Sequence, residues 1–201
     1  MPLTMLALLS GCVGGRKPAY GGETRMVGKK VVMVVAPSNF RDEELLKPKR
    51  VLESAGVSVR IASKGVKEAT GVLGARVKVD MDLSEVNVED YDAVVFIGGG
   101  GASVYFNDEI ALDLAQKSFD AGKVTAAICI APVILANAGV LKGRKATSWT
   151  SPTDKSTADA LKAGGAKYVS NDVIVDGFIV TANGPGAAEE FGRKLVQLLS
   201  T

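Results

Sequence analysis

Three stretches of this sequence are apolar at nearly every position, yet far too short to be core helices. They are Lys30–Ala36 (KVVMVVA), Ala93–Ile97 (AVVFI) and Val124–Ile128 (VTAAI). A strand wetted on one face alternates apolar and polar residues; a strand covered on both faces does not. Such runs belong in the middle of a parallel sheet. Parallel neighbours need long crossovers, usually helices. The chain is thereby confined to layered α/β architectures.

The segments between the runs supply the crossovers. Asp42–Ala55 has helical apolar spacing at Leu45, Leu46, Val51 and Leu52 and stops at Gly56. Val57–Ala62 is a further strand, and residues 69–80 form a hairpin excursion around Gly71 and Gly74. Asn107–Ala121 and Gly186–Leu199 are expected as helices, and Pro132–Ala138 as a short, wholly apolar one. Ser151-Pro152-Thr153-Asp154 has the form of a helix start, with Ser as cap and Pro at the first position. That helix should run to about Ala163, with short strands near 166–169, 172–175 and 177–181. The expectation is a three-layer α/β sandwich of flavodoxin-like or Rossmann-like type, its mostly parallel sheet covered by helices on both faces. Ligands of such sheets bind at the carboxyl ends of the strands, here the loops 37–44, 98–105 and 129–132.

Residues 1–27 stand apart from this domain, which is expected over 28–201. Leu3–Leu9 is apolar but too short to span a bilayer, which takes ~20 residues. Leu9-Ser10-Gly11-Cys12 resembles a lipobox, which would make Cys12 a lipidated membrane tether outside the cytoplasm. No Lys or Arg precedes the apolar run, so a disordered extension, or translation from Met26, stays open, with a cytoplasmic domain in either case. Three basic residues (Arg16, Lys17, Arg25) and one acid (Glu23) lie before Met26. Of 24 basic and 22 acidic residues in all, the remainder is balanced. Balanced, interspersed charge and 5% aromatic residues argue against a nucleic-acid partner.

The chain contains no histidine. Ser-His-Asp and Cys-His catalysis are therefore excluded, as are His-containing zinc sites. Two cysteines make no Cys-rich metal site, and neither metal nor cofactor is expected. The chemistry that remains centres on Cys129, at the junction of a strand and a short helix. That turn resembles a nucleophile elbow. A thiol ahead of a helix N-terminus is expected to have a lowered pKa, through the dipole and unpaired N–H groups. Glu44, just after the first strand, belongs at the same sheet edge and would serve as base or as protonated partner. The ordinary alternatives are a buried structural cysteine and a first-turn acid worth ~0.3–1 kcal/mol to its helix. Gly98–Gly101 follows a strand but completes no nucleotide-binding fingerprint. It suits a tight turn that delivers backbone amides.

Four pieces together resemble the ThiJ/PfpI superfamily, with its class I glutamine amidotransferase-like fold. They are Phe40–Pro48, Val94–Gly99 (VVFIGG), Ala126–Pro132 (AAICIAP) and Val175–Gly186 (VDGFIVTANGPG). The resemblance implies a reactive Cys129 with Glu44 as its protonated carboxyl partner. It implies Gly99 and Ile130 amides as oxyanion donors, and a pocket at Gly98, Trp149, Asn183, Gly184 and Pro185. It also implies a homodimer or higher assembly. Ile130 stands where protease-type members carry His, and Trp149 falls in the stretch where human-type members place one. Asp108 or Glu109 would reach the site only across a subunit interface. Three functions follow as expectations: a glyoxalase- or deglycase-like enzyme acting on small reactive carbonyls or modified proteins, a redox sensor working through Cys129 oxidation, and a PfpI-type peptidase. The missing histidine disfavours the last.

Overall fold

The computed structural model describes residues 26–201. The lipobox-like segment with Cys12 lies outside the described residues. In chain order the strands and helices are β1 (Lys30–Val34), β2 (Ser38–Phe40), α1 (Asp42–Ser54), β3 (Ser58–Ser63), β4 (Glu68–Gly71), β5 (Arg76–Lys78), β6 (Met81–Asp82) and β7 (Ala93–Phe96). There follow α2 (Glu109–Asp120), β8 (Val124–Ile128), α3 (Pro132–Asn137), β9 (Lys145–Ala146), α4 (Ser156–Ala163), β10 (Lys167–Tyr168), β11 (Val173–Asp176), β12 (Ile179–Ala182) and α5 (Ala188–Leu199).

Seven strands form the main sheet in the order β11-β12-β8-β7-β1-β3-β6. Every pairing is parallel except β11 with β12, an antiparallel hairpin at one edge. The apolar runs β1, β7 and β8 hold the middle, as their composition predicts. Their side chains alternate between two cores. Val32, Val34, Val94, Phe96 and Ala127 pack with α2, α3 and α4 residues such as Leu114, Leu135 and Leu161. Val31, Met33, Val95, Ala126 and Ile128 pack on the other face with Leu45 and Leu52 of α1 and Phe191 and Leu195 of α5. Burying each large apolar side chain contributes ~1.5–3 kcal/mol, so the two cores, rather than surface ion pairs, hold the layers together.

Pro48 sits inside α1 and supplies no N–H to the carbonyl one turn back, that of Glu44. Tertiary packing tolerates the break. Pro48 is buried against α5, where a Cβ on Gly192 would come within 2.9 Å of its Cα.

One local expectation needs correction, and two others gain a partner. The Ser151-Pro152-Thr153-Asp154 segment starts no helix; α4 begins at Ser156. Ser151 Oγ instead accepts from the Asp154 N–H, and Asp154 accepts from the Ser156 N–H, which closes a turn ahead of the helix. The 69–80 excursion is the antiparallel hairpin expected, β4–β5, and β2 joins it to make a second, three-stranded sheet. The strand at 167–168 pairs not with the main sheet but with β9. Both β2 and β9 are too short to carry a periodic signal.

Candidate active site

Cys129 directly follows β8 and adopts φ 66°, a left-handed conformation uncommon for a residue with a side chain. Two backbone bonds hold it there. Its N–H donates to the Ala182 carbonyl at 2.8 Å, and its own carbonyl accepts from the Trp149 N–H at 2.8 Å. The bend aims the thiol at the carboxyl edge of the sheet, where it is 8% exposed. The backbone N–H groups of Gly99 and Ile130 reach the sulfur and favour its ionised form.

Glu44 arrives from the opposite side. The Arg41 N–H donates to the Gly98 carbonyl at 3.0 Å, tying the start of α1 to the end of β7. The three acids of the first turn then divide. Asp42 is buried and accepts from the Leu73 and Ala75 N–H groups at 2.8 and 2.7 Å, clamping the β4–β5 turn. Glu43 pairs with the Arg41 guanidinium at 2.8 Å. Glu44 points inward and is fully buried.

Gly98 is the wedge between the two groups. A Cβ placed on it would lie 2.5 Å from both Cys129 Cβ and Glu44 Oε2. Neither carboxyl oxygen of Glu44 has a hydrogen-bond partner among the described residues. The thiol and the Gly98 N–H lie against the carboxyl and favour its charge without completing a bond. Desolvation is the larger effect and pushes the Glu44 pKa up to about 7. Cys129 departs from expectation: burial, then the neighbouring Glu44 charge, push its thiol up to about 12. The helix behind it has only six residues and offers little dipole to offset this. Above about pH 7 the two groups together hold one negative charge. The proton belongs to the pair rather than to either residue.

This has a consequence for stability. A carboxyl ionising at about 7 when folded, and near its ordinary 4.5 when not, keeps its proton longer in the folded chain. The stability it contributes is fully present below about 4.5 and is lost as pH rises through about 7, a loss on the order of 3 kcal/mol. Glu44→Gln should remove that loss, so denaturant titrations of the two proteins should diverge across this window. The same substitution removes the charge beside Cys129 and should lower the pH at which its thiol alkylates. Parallel stability profiles and an unmoved thiol pKa would rule out the coupling.

The remaining predicted positions gather at the same edge. Trp149, Asn183, Gly184 and Pro185 line a pocket of about 230 Å³ together with Thr147, Ser148, Thr150, Tyr168, Ser170 and Gly186. Gly184 joins pocket and pair, since a Cβ there would be 3.5 Å from Trp149 Cδ1 and 3.9 Å from Glu44 Oε1. Asn183 Nδ2 donates to Asp172 at 2.9 Å. Asp108 is drawn elsewhere, capping α2 and pairing with Lys64. The hydroxyl residues escape sequence reasoning because Thr150 and Ser170 sit in polar loops and Tyr168 in the two-residue strand β10, none with a spacing pattern. Among the described residues, no cluster of three or more acidic, His or Cys side chains could hold a metal ion.

Residues 29–198 match the model of the DJ-1/PfpI family. Deglycase PfpI of Pyrococcus furiosus is 39% identical over 84% of this chain and 98% of its own length. The glutathione-independent glyoxalase DJR-1.2 of Caenorhabditis elegans is 26% identical over 85% of this chain and 89% of its own. Among solved structures, the ThiJ/PfpI domain protein from Brachyspira murdochii superposes with a TM-score of 0.81 at 34% identity, covering 86% of this chain and 98% of that one.

Proposed function

The chain belongs to the DJ-1/PfpI family, and we propose that Cys129 and Glu44 work as one unit on small α-oxo aldehydes, converting them to 2-hydroxy acids. The observation that carries this reading is the Glu44 carboxyl, fully buried beside the thiol with both oxygens unpartnered. A group so placed is free to take up and return a proton.

The steps follow from the geometry. With the shared proton on Glu44, the Cys129 thiolate adds to the aldehyde carbon and forms a hemithioacetal, its oxyanion facing the Gly99 and Ile130 amides. Glu44 gives its proton to the hemithioacetal oxyanion; the hydrogen on that carbon then leaves as a proton to the resulting Glu44 carboxylate, and the electron pair moves onto the neighbouring carbonyl oxygen to give an enediolate. The proton returns to the adjacent carbon and leaves a thioester of the 2-hydroxy acid. Water cleaves the thioester and restores the thiol. The sum is R–CO–CHO plus H2O to R–CHOH–COOH, with no external oxidant or reductant. The relatives named deglycase and glyoxalase support this class of substrate. A Cys-His peptidase mechanism has no support, because the chain has no histidine.

The test is methylglyoxal turnover in D2O. The lactate formed should carry deuterium at C2, because the migrating hydrogen passes through an exchangeable carboxyl. Lactate free of deuterium would mean a direct hydride shift and remove Glu44 from the role; absence of lactate would remove the reaction.

The two amides near sulfur favour a second reading. They would also hold the oxygens of a sulfinate, as in a peroxide sensor. Mild peroxide should then add two oxygens to Cys129 by intact mass. A self-associated assembly fits the exposed Leu46, Val72 and Leu73 on α1 and the β4–β5 turn.

A further inference from the structure

We propose that the pocket walled by Trp149 is a subsite for the uncharged, hydroxyl-bearing tail of the substrate, so that the preferred α-oxo aldehyde is a neutral polyhydroxylated one rather than a bare or acidic carbonyl. The inference rests on the carbonyl-transforming reading and extends it to substrate class.

The position is set by two contacts. Trp149 shares a backbone hydrogen bond with Cys129, and a Cβ on Gly184 would lie 3.5 Å from Trp149 Cδ1 and 3.9 Å from Glu44 Oε1. The pocket therefore adjoins the Cys129–Glu44 pair, within reach of the far end of a molecule whose aldehyde carbon sits at Cys129. The lining has no charged side chain. An acidic tail would find no cation there and would lie beside the negative charge held by Cys129 and Glu44. Arg41, at the start of α1, is committed to Glu43, and Lys162, over the Tyr168 ring, pairs with Asp159. The wall is also not apolar. The hydroxyls of Thr147 and Ser148 are engaged, with the Asn171 carbonyl and with Thr157. That leaves Thr150, Tyr168 and Ser170 to exchange hydrogen bonds with a ligand, with the indole face to cover its carbon skeleton.

Trp149 is the chain's single tryptophan, so its fluorescence reads this pocket alone. The experiment titrates the full chain carrying Cys129→Ser with 3-deoxyglucosone, methylglyoxal and glyoxylate. The expected result is a saturable change with 3-deoxyglucosone at an affinity at least ~10-fold tighter than for the other two, the worth of one or two net hydrogen bonds. Adding Thr150→Val and Ser170→Ala should erase most of that ratio. Glyoxylate binding as tightly as 3-deoxyglucosone, or a ratio untouched by the substitutions, would overturn the proposal. Turnover by the unsubstituted chain is measured in parallel. Selective binding without turnover keeps the subsite and removes the carbonyl reaction. Turnover of methylglyoxal without tail selectivity keeps the reaction and removes the subsite.

Discussion

Cys129→Ser should lower kcat/KM for methylglyoxal by at least ~10³-fold while leaving the melting temperature nearly unchanged. Serine keeps the shape but not the chemistry. Its hydroxyl ionises far above any thiol, and Glu44, with a pKa of about 7, is too weak a base to deprotonate it. No histidine stands in reserve anywhere in the chain. The fold, by contrast, holds position 129 by its backbone, through Ala182 and Trp149, and those bonds are indifferent to sulfur. Steady-state kinetics and thermal melts of the two proteins check both halves. A serine variant that retains more than about a tenth of the activity would place the nucleophile elsewhere.

The second large effect is on stability. Gly99→Ala should destabilise the protein by at least ~3 kcal/mol, whereas Gly100→Ala, one residue on, should cost under ~1 kcal/mol. Gly99 has φ 94° and ψ 159°, a combination open essentially to glycine alone. A Cβ there would also drive into backbone, 2.6 Å from the Asn39 carbonyl oxygen and the Phe40 carbonyl carbon. Backbone cannot rotate aside as a side chain can, so the segment that positions Glu44 would have to move. At Gly100 an added Cβ meets nothing within 4 Å. Denaturant midpoints of the pair measure the contrast. Equal midpoints would mean that the 37–41 segment yields freely and does not brace the site.

The sequence disclosed those parts of the molecule whose causes are local. The middle strands were legible because burial on both faces removes every polar residue from a run. α1 was legible from Leu45, Val51 and Leu52, and the elbow from a cysteine between an apolar strand and Pro132. What escaped depends on partners distant in the chain. β2 and β9 are strands only because β4 and β10 come alongside. Ser151 and Asp154 carry the residues of a helix cap but spend them on a turn. The thiol's direction of shift is hidden from the sequence for a similar reason. Proximity to a helix start is visible in sequence, but the depth at which Cys129 is buried and the charge of Glu44 against it are not.

The backbone-only anchoring of Cys129 separates architecture from reactivity. The two hydrogen bonds that set the bend belong to the backbone, so a side chain of the same size at 129 inherits the position whatever its chemistry. A descendant could trade sulfur for oxygen there, lose the thiol's chemistry and still fold. Selection on activity and selection on stability would then act on different residues of the same few ångströms. An engineer could likewise install selenocysteine there and inherit the geometry unaltered.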